Sequence, residues 1–288
     1  MTVKSFAKIN LGLEIVGVRP DGYHDIRTLF QTISLCDEID IEPAPPGVIE
    51  LAGDDPRIAW DRTNLVDRAA RKVLEKAGPE AGARIAVRKS IPAGGGLGGG
   101  SSNAAVTLIA LDRMWDSGLG ESGLAGLARG LGADVPFFLK GGLCLGEGIG
   151  DRLTPLPDLA PLPCLLVFPP FSIPTPSIYA GVDPALTSPG KDSKIVRFLE
   201  SGDFGLLEND LERVIFRAYP ETERWKSFFR EQGALVSQVS GSGSAVYGIF
   251  PDTESAAAAR RRLPGTTAAR LAATLPREGY WAQLGAGA

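Results

Sequence analysis

Pro92-Ala-Gly-Gly-Gly-Leu-Gly-Gly-Gly-Ser-Ser-Asn103 puts six glycines into the nine positions from 92 to 100 and then runs straight into an apolar helical pattern. A residue without Cβ visits positive φ freely, so a run this dense lets successive backbone N–H groups converge on a group that comes very close. A phosphate is the natural occupant. In the pattern that follows, Ala104, Leu108, Leu111 and Trp115 recur at spacings of four, three and four, which predicts a helix capped by Ser101 or Ser102. The free N–H groups and the dipole at the start of that helix favour an anion at the same spot.

Two common glycine motifs do not fit. Gly94-x-Gly96-x-x-Gly99 formally satisfies the dinucleotide fingerprint, which needs a strand directly before it and an acidic residue ending the next strand. Here Pro92 separates the loop from the strand expected over Ala83 to Lys89, and Ser117-Gly-Leu-Gly-Glu-Ser-Gly123 does not read as a strand end. A P-loop requires lysine directly after its last glycine, whereas Gly100 is followed by Ser101. A flexible linker would not end in a capped amphipathic helix.

With 288 residues, 44% of them hydrophobic and 22% charged, the chain has room for two cores and the composition of an ordinary globular enzyme. Its 34 acids against 30 bases give a net charge of −4, which leaves no broad basic surface for nucleic acid. Arg260-Arg261-Arg262 closes the helix pattern Glu254 to Leu263 and suits a helix C-terminus. Cys36, Cys144 and Cys164 are odd in number, far apart and not at metal-ligand spacing, which argues against a disulfide framework or a zinc site. The first eight residues lack a hydrophobic signal core, and the apolar stretch from Cys164 to Phe171 is broken by Pro169-Pro170. A soluble cytoplasmic protein without membrane contact is expected.

Leu11 to Val18, Ile26 to Ser34 and Glu38 to Glu42 alternate as strands, with Asp21-Gly22 as the turn between the first two. Asn64 is placed to cap a helix through Ala77, ended by Gly78-Pro79. Four prolines between Leu153 and Pro163 suggest a passage between domains, which divides the chain into 1–152 and 153–288. Beyond it, strands are expected at Cys164 to Phe168, Leu235 to Val239 and Ala245 to Phe250. Helices are expected at Lys194 to Leu199, Leu206 to Ala218, Glu221 to Gln232 and Glu254 to Leu263, with a final strand near 277–284 returning to the first domain. Strands and helices mixed without a regular βαβ repeat indicate an α+β protein.

Phosphoryl transfer needs neutralised phosphate charge and an in-line hydroxyl, often helped by a carboxylate that accepts its proton. Leu131-Gly-Ala-Asp-Val-Pro136 sets Asp134 in an apolar segment where an unpaired carboxylate is costly, and Lys8, in apolar strand sequence, is the natural partner. From spacing alone, a turn or cap aspartate and a strand-end lysine are the favoured readings of these residues.

Seven blocks occur in order along positions 7 to 244: Ala7-Lys-Ile-Asn-Leu11, Arg19-Pro-Asp-Gly-Tyr-His24, Gly94 to Asn103, Gly132-Ala-Asp-Val-Pro136, Ile173-Pro-Thr-Pro176, Asn209-Asp-Leu-Glu212 and Ser240-Gly-Ser-Gly-Ser244. Together they resemble the 4-diphosphocytidyl-2-C-methyl-D-erythritol kinases of the GHMP kinase superfamily, which also contains galactokinase, homoserine kinase and mevalonate kinase. The glycine loop and the Ser240 to Ser244 block belong to the superfamily, and the Asp21 to His24 block is specific to this kinase. Phe6 departs from the pattern, standing where proline usually precedes Ala-Lys.

The resemblance implies two α+β domains with the site in the cleft between them, the first like the second domain of ribosomal protein S5 and the second ferredoxin-like. It also implies ATP as co-substrate with Mg2+, and phosphorylation of the 2-hydroxyl of an alcohol carrying a cytidine diphosphate group, on the non-mevalonate route to isoprenoid precursors. Carried over position by position, Pro92, Ala93, Gly94, Gly95, Gly96, Leu97, Gly98, Gly99, Gly100, Ser101 and Ser102 would hold ATP. Asp134 would be the base for the hydroxyl and Lys8 would hold hydroxyl and base in register. Asn10 would position the substrate, Tyr23 and Tyr179 would sandwich the cytosine, His24 would read its edge and Thr175 would touch the cytidine side. Gly241, Ser242 and Gly243 would close over the transferring phosphate. Asn209 to Glu212 falls in a helix pattern where polar residues face water, so it is left outside the site. No carboxylate pair stands out as a magnesium ligand, and nothing fixes the oligomeric state. A GHMP kinase for a non-nucleotide alcohol such as mevalonate or homoserine, or a non-catalytic nucleotide-binding member, remains as an alternative.

Overall fold

The first fifty residues form two very long strands. β1 (Thr2–Val18) and β2 (His24–Pro43) pair antiparallel along their whole length. Every residue from Ser5 to Leu13 is buried, because this part of β1 is covered on both faces. Its odd positions Ile9, Leu11 and Leu13 enter cores shared with the second half of the chain, and period-two alternation sends Lys8 and Asn10 the other way. The separate strand expected over Glu38 to Glu42 is the end of β2. No turn residue interrupts Leu35-Cys36-Asp37, and the register slip between Phe6 and Ala7 takes up the irregularity as a bulge.

The computed structural model describes residues 1–78, 80–183 and 193–285, so Pro79 lies outside the described residues. In the first sheet, β2 also pairs with β4 (Ala83–Arg88) and β5 (Leu143–Gly148). β3 (Ile49–Gly53) and β6 (Arg152–Pro155) form its edges. α1 (Leu65–Ala77) and α2 (Gly99–Trp115) cover one face. Asn64 accepts from Val66 N at the start of α1, as its position predicts. Val66, Val73, Ala104, Leu108 and Leu111 fill the layer between helices and sheet.

The second sheet runs β10 (Ala269–Ala273), β7 (Pro163–Val167), β9 (Val246–Ile249), β8 (Val236–Val239). Around it lie α4 (Thr175–Ala180), α5 (Lys194–Ser201), α6 (Glu212–Ala218), α7 (Pro220–Glu231) and α8 (Thr253–Arg262). The basic run Arg260 to Arg262 does occupy the last turn of α8. Two expectations need correction. The helix expected from Leu206 begins only at Glu212, because residues 208–210 are drawn to β1 by hydrogen bonds from Leu13 N to Glu208 O (2.8 Å) and from Asp210 N to Leu13 O (2.8 Å). The stretch near 277–284 is a helix, α9 (Arg277–Gln283), and not a strand. It sets Tyr280 in the first core, 5.7 Å from Phe6 between ring centroids, and Leu284 O accepts from Lys4 N at 3.1 Å.

The remaining unanticipated elements, β3, α3 (Gly120–Arg129), β5, β6, α4 and β10, are short or glycine-rich, where periodicity has few residues to show itself. The proline-rich passage begins as β6 in the first sheet and ends as β7 in the second.

Candidate active site

The glycine loop leaves β4 through Ser90 and Ile91, whose N–H groups both donate to Asp37 Oδ1 (2.7 and 2.8 Å). Asp37 is fully buried and paired with Lys89, and Asn103 Nδ2 donates to it at 2.9 Å. The root of the loop and the first turn of α2 are thereby fastened to β2.

Neither Ser101 nor Ser102 caps α2. The N-cap is Gly98 with φ 69, and no side chain bonds the first turn. Side-chain oxygens are absent there because the chain arrives in a left-handed turn that only glycine takes readily, and the uncapped N–H groups remain available to an anion. A Cβ at Gly98 would lie 2.8 Å from the Phe138 ring and 3.1 Å from Lys8 Cγ, and one at Gly96 would lie 2.1 Å from Ser240 O. The loop is thus pressed between Lys8 and the Ser240 to Ser244 segment. Ser102 faces inward: it is buried, accepts from Ser5 Oγ at 2.7 Å, and its N–H is taken by Gly98 O. Its side chain therefore has no part in lining the loop cavity. That cavity, about 470 Å³, is lined by residues 92 to 101 together with Lys89, Asn103, Trp60 and Leu65.

Lys8 N donates to Leu97 O at 3.0 Å, which ties β1 directly to the loop. The ammonium is 4% exposed at residue level, donates to Asn10 Oδ1 at 2.7 Å, lies 3.5 Å from Asp134 Oδ2 and sits 5.3 Å from the centre of the Phe30 ring. A charge this buried stays in place only when paired and hydrogen-bonded. Asp134 is held just before the short 3-10 helix Val135–Leu139, caps no N–H, and keeps 35% of its side chain open. It can therefore still accept a proton from a ligand. Asn10 is itself oriented by Thr28, which accepts from Nδ2 at 2.8 Å and passes its own proton to Gly12 O.

A second cavity of about 680 Å³ opens beside Asp134 and is lined by Asp21 to His24, Ser101, Ala133, Ile149, Thr175 and Tyr179. Asp21 shapes its rim. The neighbouring Arg19 guanidinium, helped by the Tyr23 N–H, holds the Asp21 carboxyl below its ordinary range. Tyr23 is 62% exposed at the hairpin tip. Tyr179 lies 5.3 Å from His24 between ring centroids, and burial first, then the Asp134 charge, pushes its hydroxyl pKa upward. Thr175 Oγ1 shares a hydrogen bond with Ser242 Oγ at 2.7 Å, joining this rim to the third loop. Tyr23 and Tyr179 thus both line one cavity.

Sequence reading missed the polar residues that hold these parts. Asn209 is not a solvated helical residue: it is 2% exposed and donates to Val239 O (2.9 Å) and Gly241 O (2.8 Å). Asn103, a polar residue in the apolar face of α2, and Lys89, just before the loop, carried a signal in their setting. Thr28 and Trp60 carried none. Among the described residues, no three His, Cys, Asp or Glu side chains form a metal-binding group, and no helix is long and apolar enough to cross a membrane.

Comparison with known proteins gives the same picture. The family model for the GHMP kinases N terminal domain matches residues 64–142, and that for the GHMP kinases C terminal domain matches residues 195–268. The chain is 42% identical over 261 residues to the 4-diphosphocytidyl-2-C-methyl-D-erythritol kinase of Pelotomaculum thermopropionicum, covering 89% of this chain and 91% of the relative. It is 40% identical over 275 residues to that of Chloroherpeton thalassium, covering 91% and 95%. A solved 4-(cytidine 5'-diphospho)-2C-methyl-D-erythritol kinase superposes with a TM-score of 0.83 at 39% identity, covering 95% of this chain and 98% of its own. Homoserine kinase from Cytophaga hutchinsonii shares the fold at a TM-score of 0.72 and 17% identity. With the glycine loop, the Lys8–Asp134 pair and the hairpin-tip block all in one cleft, the chain belongs to the 4-diphosphocytidyl-2-C-methyl-D-erythritol kinase family of the GHMP kinases.

Proposed function

We propose that this protein transfers the γ-phosphoryl group of ATP to the 2-hydroxyl of 4-diphosphocytidyl-2-C-methyl-D-erythritol, giving ADP and the 2-phosphate. The reaction is a step toward isoprenoid precursors, and the enzyme works in the cytoplasm. The observation that carries the reading is the position of Ser101, which lines both the glycine-loop cavity and the Asp134 cavity. A nucleotide in the first and an alcohol in the second meet there. The two halves, divided along the proline-rich passage, act as the walls of the cleft.

The alcohol oxygen attacks γ-phosphorus in line while the bond to the β,γ-bridging oxygen breaks, and ADP carries away that electron pair. Asp134 Oδ2 takes the hydroxyl proton. Lys8, with one proton committed to Asn10, offers its others to the hydroxyl oxygen and the transferring phosphoryl group. The N–H groups at the start of α2 and of Gly241 and Ser242 stabilise phosphate charge, the Gly243 N–H being taken by Ser240 O. Tyr23 and Tyr179 take the cytosine between them and His24 bonds its edge, an arrangement that a base-free alcohol such as mevalonate could not use.

Magnesium accompanies the nucleotide. Among the described residues no cluster of His, Cys, Asp or Glu would hold the ion, so it would be bound mainly through the nucleotide, with Ser101, which lines both cavities, as its protein contact. When bound it neutralises charge on the β- and γ-phosphates.

ADP formation with ATP, magnesium and the cytidylated alcohol tests the reading, with mevalonate, homoserine and methylerythritol phosphate lacking cytidine in parallel. Turnover confined to the cytidylated alcohol supports it. Turnover with mevalonate or homoserine overturns it.

A further inference from the structure

Asn209-Asp210-Leu211-Glu212 has no part in the chemistry above, yet it is among the most tightly held segments of the second half. Asn209 Nδ2 spends both protons on the carbonyls that flank Ser240, those of Val239 and Gly241, and its Oδ1 accepts from Leu211 N at 3.0 Å. The amide is thereby fixed in one orientation. On its other side the same segment is bound to β1. Leu13 N and Glu208 O, Asp210 N and Leu13 O, and Ile15 N and Asp210 Oδ2 pair at 2.8 Å each. One short stretch therefore grips both the strand that carries Lys8 and Asn10 and the loop that faces them.

The clearance at Gly241 shows what this grip controls. A Cβ at that position would lie 3.0 Å from Asn10 Oδ1 and 3.7 Å from Lys8 Nζ. With so little slack, a shift of the Gly241 peptide falls directly on the Lys8–Asn10 pair. Glu212 serves a different point: it accepts from Val239 N at 2.8 Å and pairs with Lys226, which secures β8 but not the loop tip. Among the described residues, Asn209 alone bonds the Gly241 carbonyl.

We infer that Asn209 is a positioning residue for the phosphoryl transfer, setting the Ser240 to Ser244 loop in register with Lys8 and Asn10. The inference rests on the phosphotransfer reading above. A loop misplaced by about 1 Å at a reacting phosphate costs on the order of a hundredfold in rate, so the effect belongs in kcat. Asn209 bonds the base of the loop at Val239 and Gly241 and reaches the cytidine rim only through the Thr175–Ser242 hydrogen bond, so KM for the alcohol changes far less than kcat.

The test is steady-state ADP formation by Asn209→Asp and Asn209→Ala with the cytidylated alcohol. Asn209→Asp keeps the volume and the acceptor for Leu211 N and loses both donors. Both variants are expected to lose roughly 30-fold or more in kcat with KM for the alcohol within about twofold. Glu212→Gln keeps an acceptor for Val239 N while losing the charge pair, and should lower Tm with kcat within about twofold. Because Asn209 acts through Gly241, the Asn209→Asp/Gly241→Ala double variant should fall little below the worse single variant, whereas independent effects would multiply. Hydrogen exchange at the Gly243 amide, bonded to Ser240 O at 3.0 Å, should quicken in Asn209→Asp. Parental kcat in Asn209→Asp, a loss confined to KM, or multiplying effects would overturn the inference. If the parent chain made no ADP, the phosphotransfer reading would fall, and unchanged Gly243 exchange would then sink the positioning role by itself.

Discussion

At the proposed phosphate end of the cleft Lys8 is 4% exposed, donates to Asn10, pairs with Asp134, and is packed closely against the backbone of Gly98 and Gly241. At the base end Tyr23 is 62% exposed on a hairpin tip whose shape is set by a surface pair, Arg19 with Asp21. The first region packs its side chains against glycine main chain that leaves almost no room for an added atom at Gly96 or Gly98. The second is made of side chains that can be exchanged one at a time. A cleft built this way fixes the chemistry and leaves the choice of alcohol adjustable. The homoserine kinase likeness at 17% identity extends to the fold, and no further.

The largest expected effect is at the phosphate end. Asp134→Asn should lower kcat at least about a hundredfold while nucleotide binding persists, measured by ADP release and by nucleotide titration. Unchanged turnover would mean that the carboxylate is not the base and that the phosphate end works by positioning alone. Gly96→Ala comes next: a Cβ 2.1 Å from Ser240 O, at φ 73, should cost about 2 kcal/mol of stability and weaken ATP binding. A silent substitution there, read by thermal melting, would erase the contrast between the two ends. Tyr23→Ala should raise KM for the cytidylated alcohol about tenfold with little change in kcat, since one stacked base is worth about 1–3 kcal/mol. A fall in kcat with KM unchanged would move Tyr23 out of base recognition.

The smallest effect lies outside both regions. Paired with Arg57, Asp55 has its carboxyl pKa lowered to about 2. A carboxyl depressed in the folded state stabilises above the unfolded value near 4 and loses that contribution as pH falls toward 2. Asp55→Asn should therefore lower Tm slightly at pH 7, and the difference from the parent should close across that window.

The glycine loop and the helix behind it were legible because they break a local rule, too many glycines running into an apolar pattern, whereas the Lys8–Asp134 pairing was legible through the family resemblance, since spacing alone favours a turn aspartate and a strand-end lysine. The helical cap was misread, since Ser101 and Ser102 have the right chemistry for an N-cap and only the three-dimensional arrival of the chain at Gly98 denies them the role. Asn209 was misread for a related reason. Its neighbours keep helical spacing, but the backbone of β1 competes for the segment and wins. Thr28 and Trp60 were silent because a threonine in a strand and a tryptophan in a loop look alike whether or not a site lies beside them.

The clasp of α9 on the first core also bears on the order in which the molecule can be made. Phe6, Phe138 and β2 emerge from the ribosome early, but Tyr280, whose hydroxyl donates to Phe138 O at 2.5 Å, and Leu275, whose N–H donates to Thr32 O at 2.8 Å, are translated after the whole second sheet. The nascent N-terminal half therefore has one wall of its core unbuilt, with the apolar surface beneath it uncovered, until α9 is made.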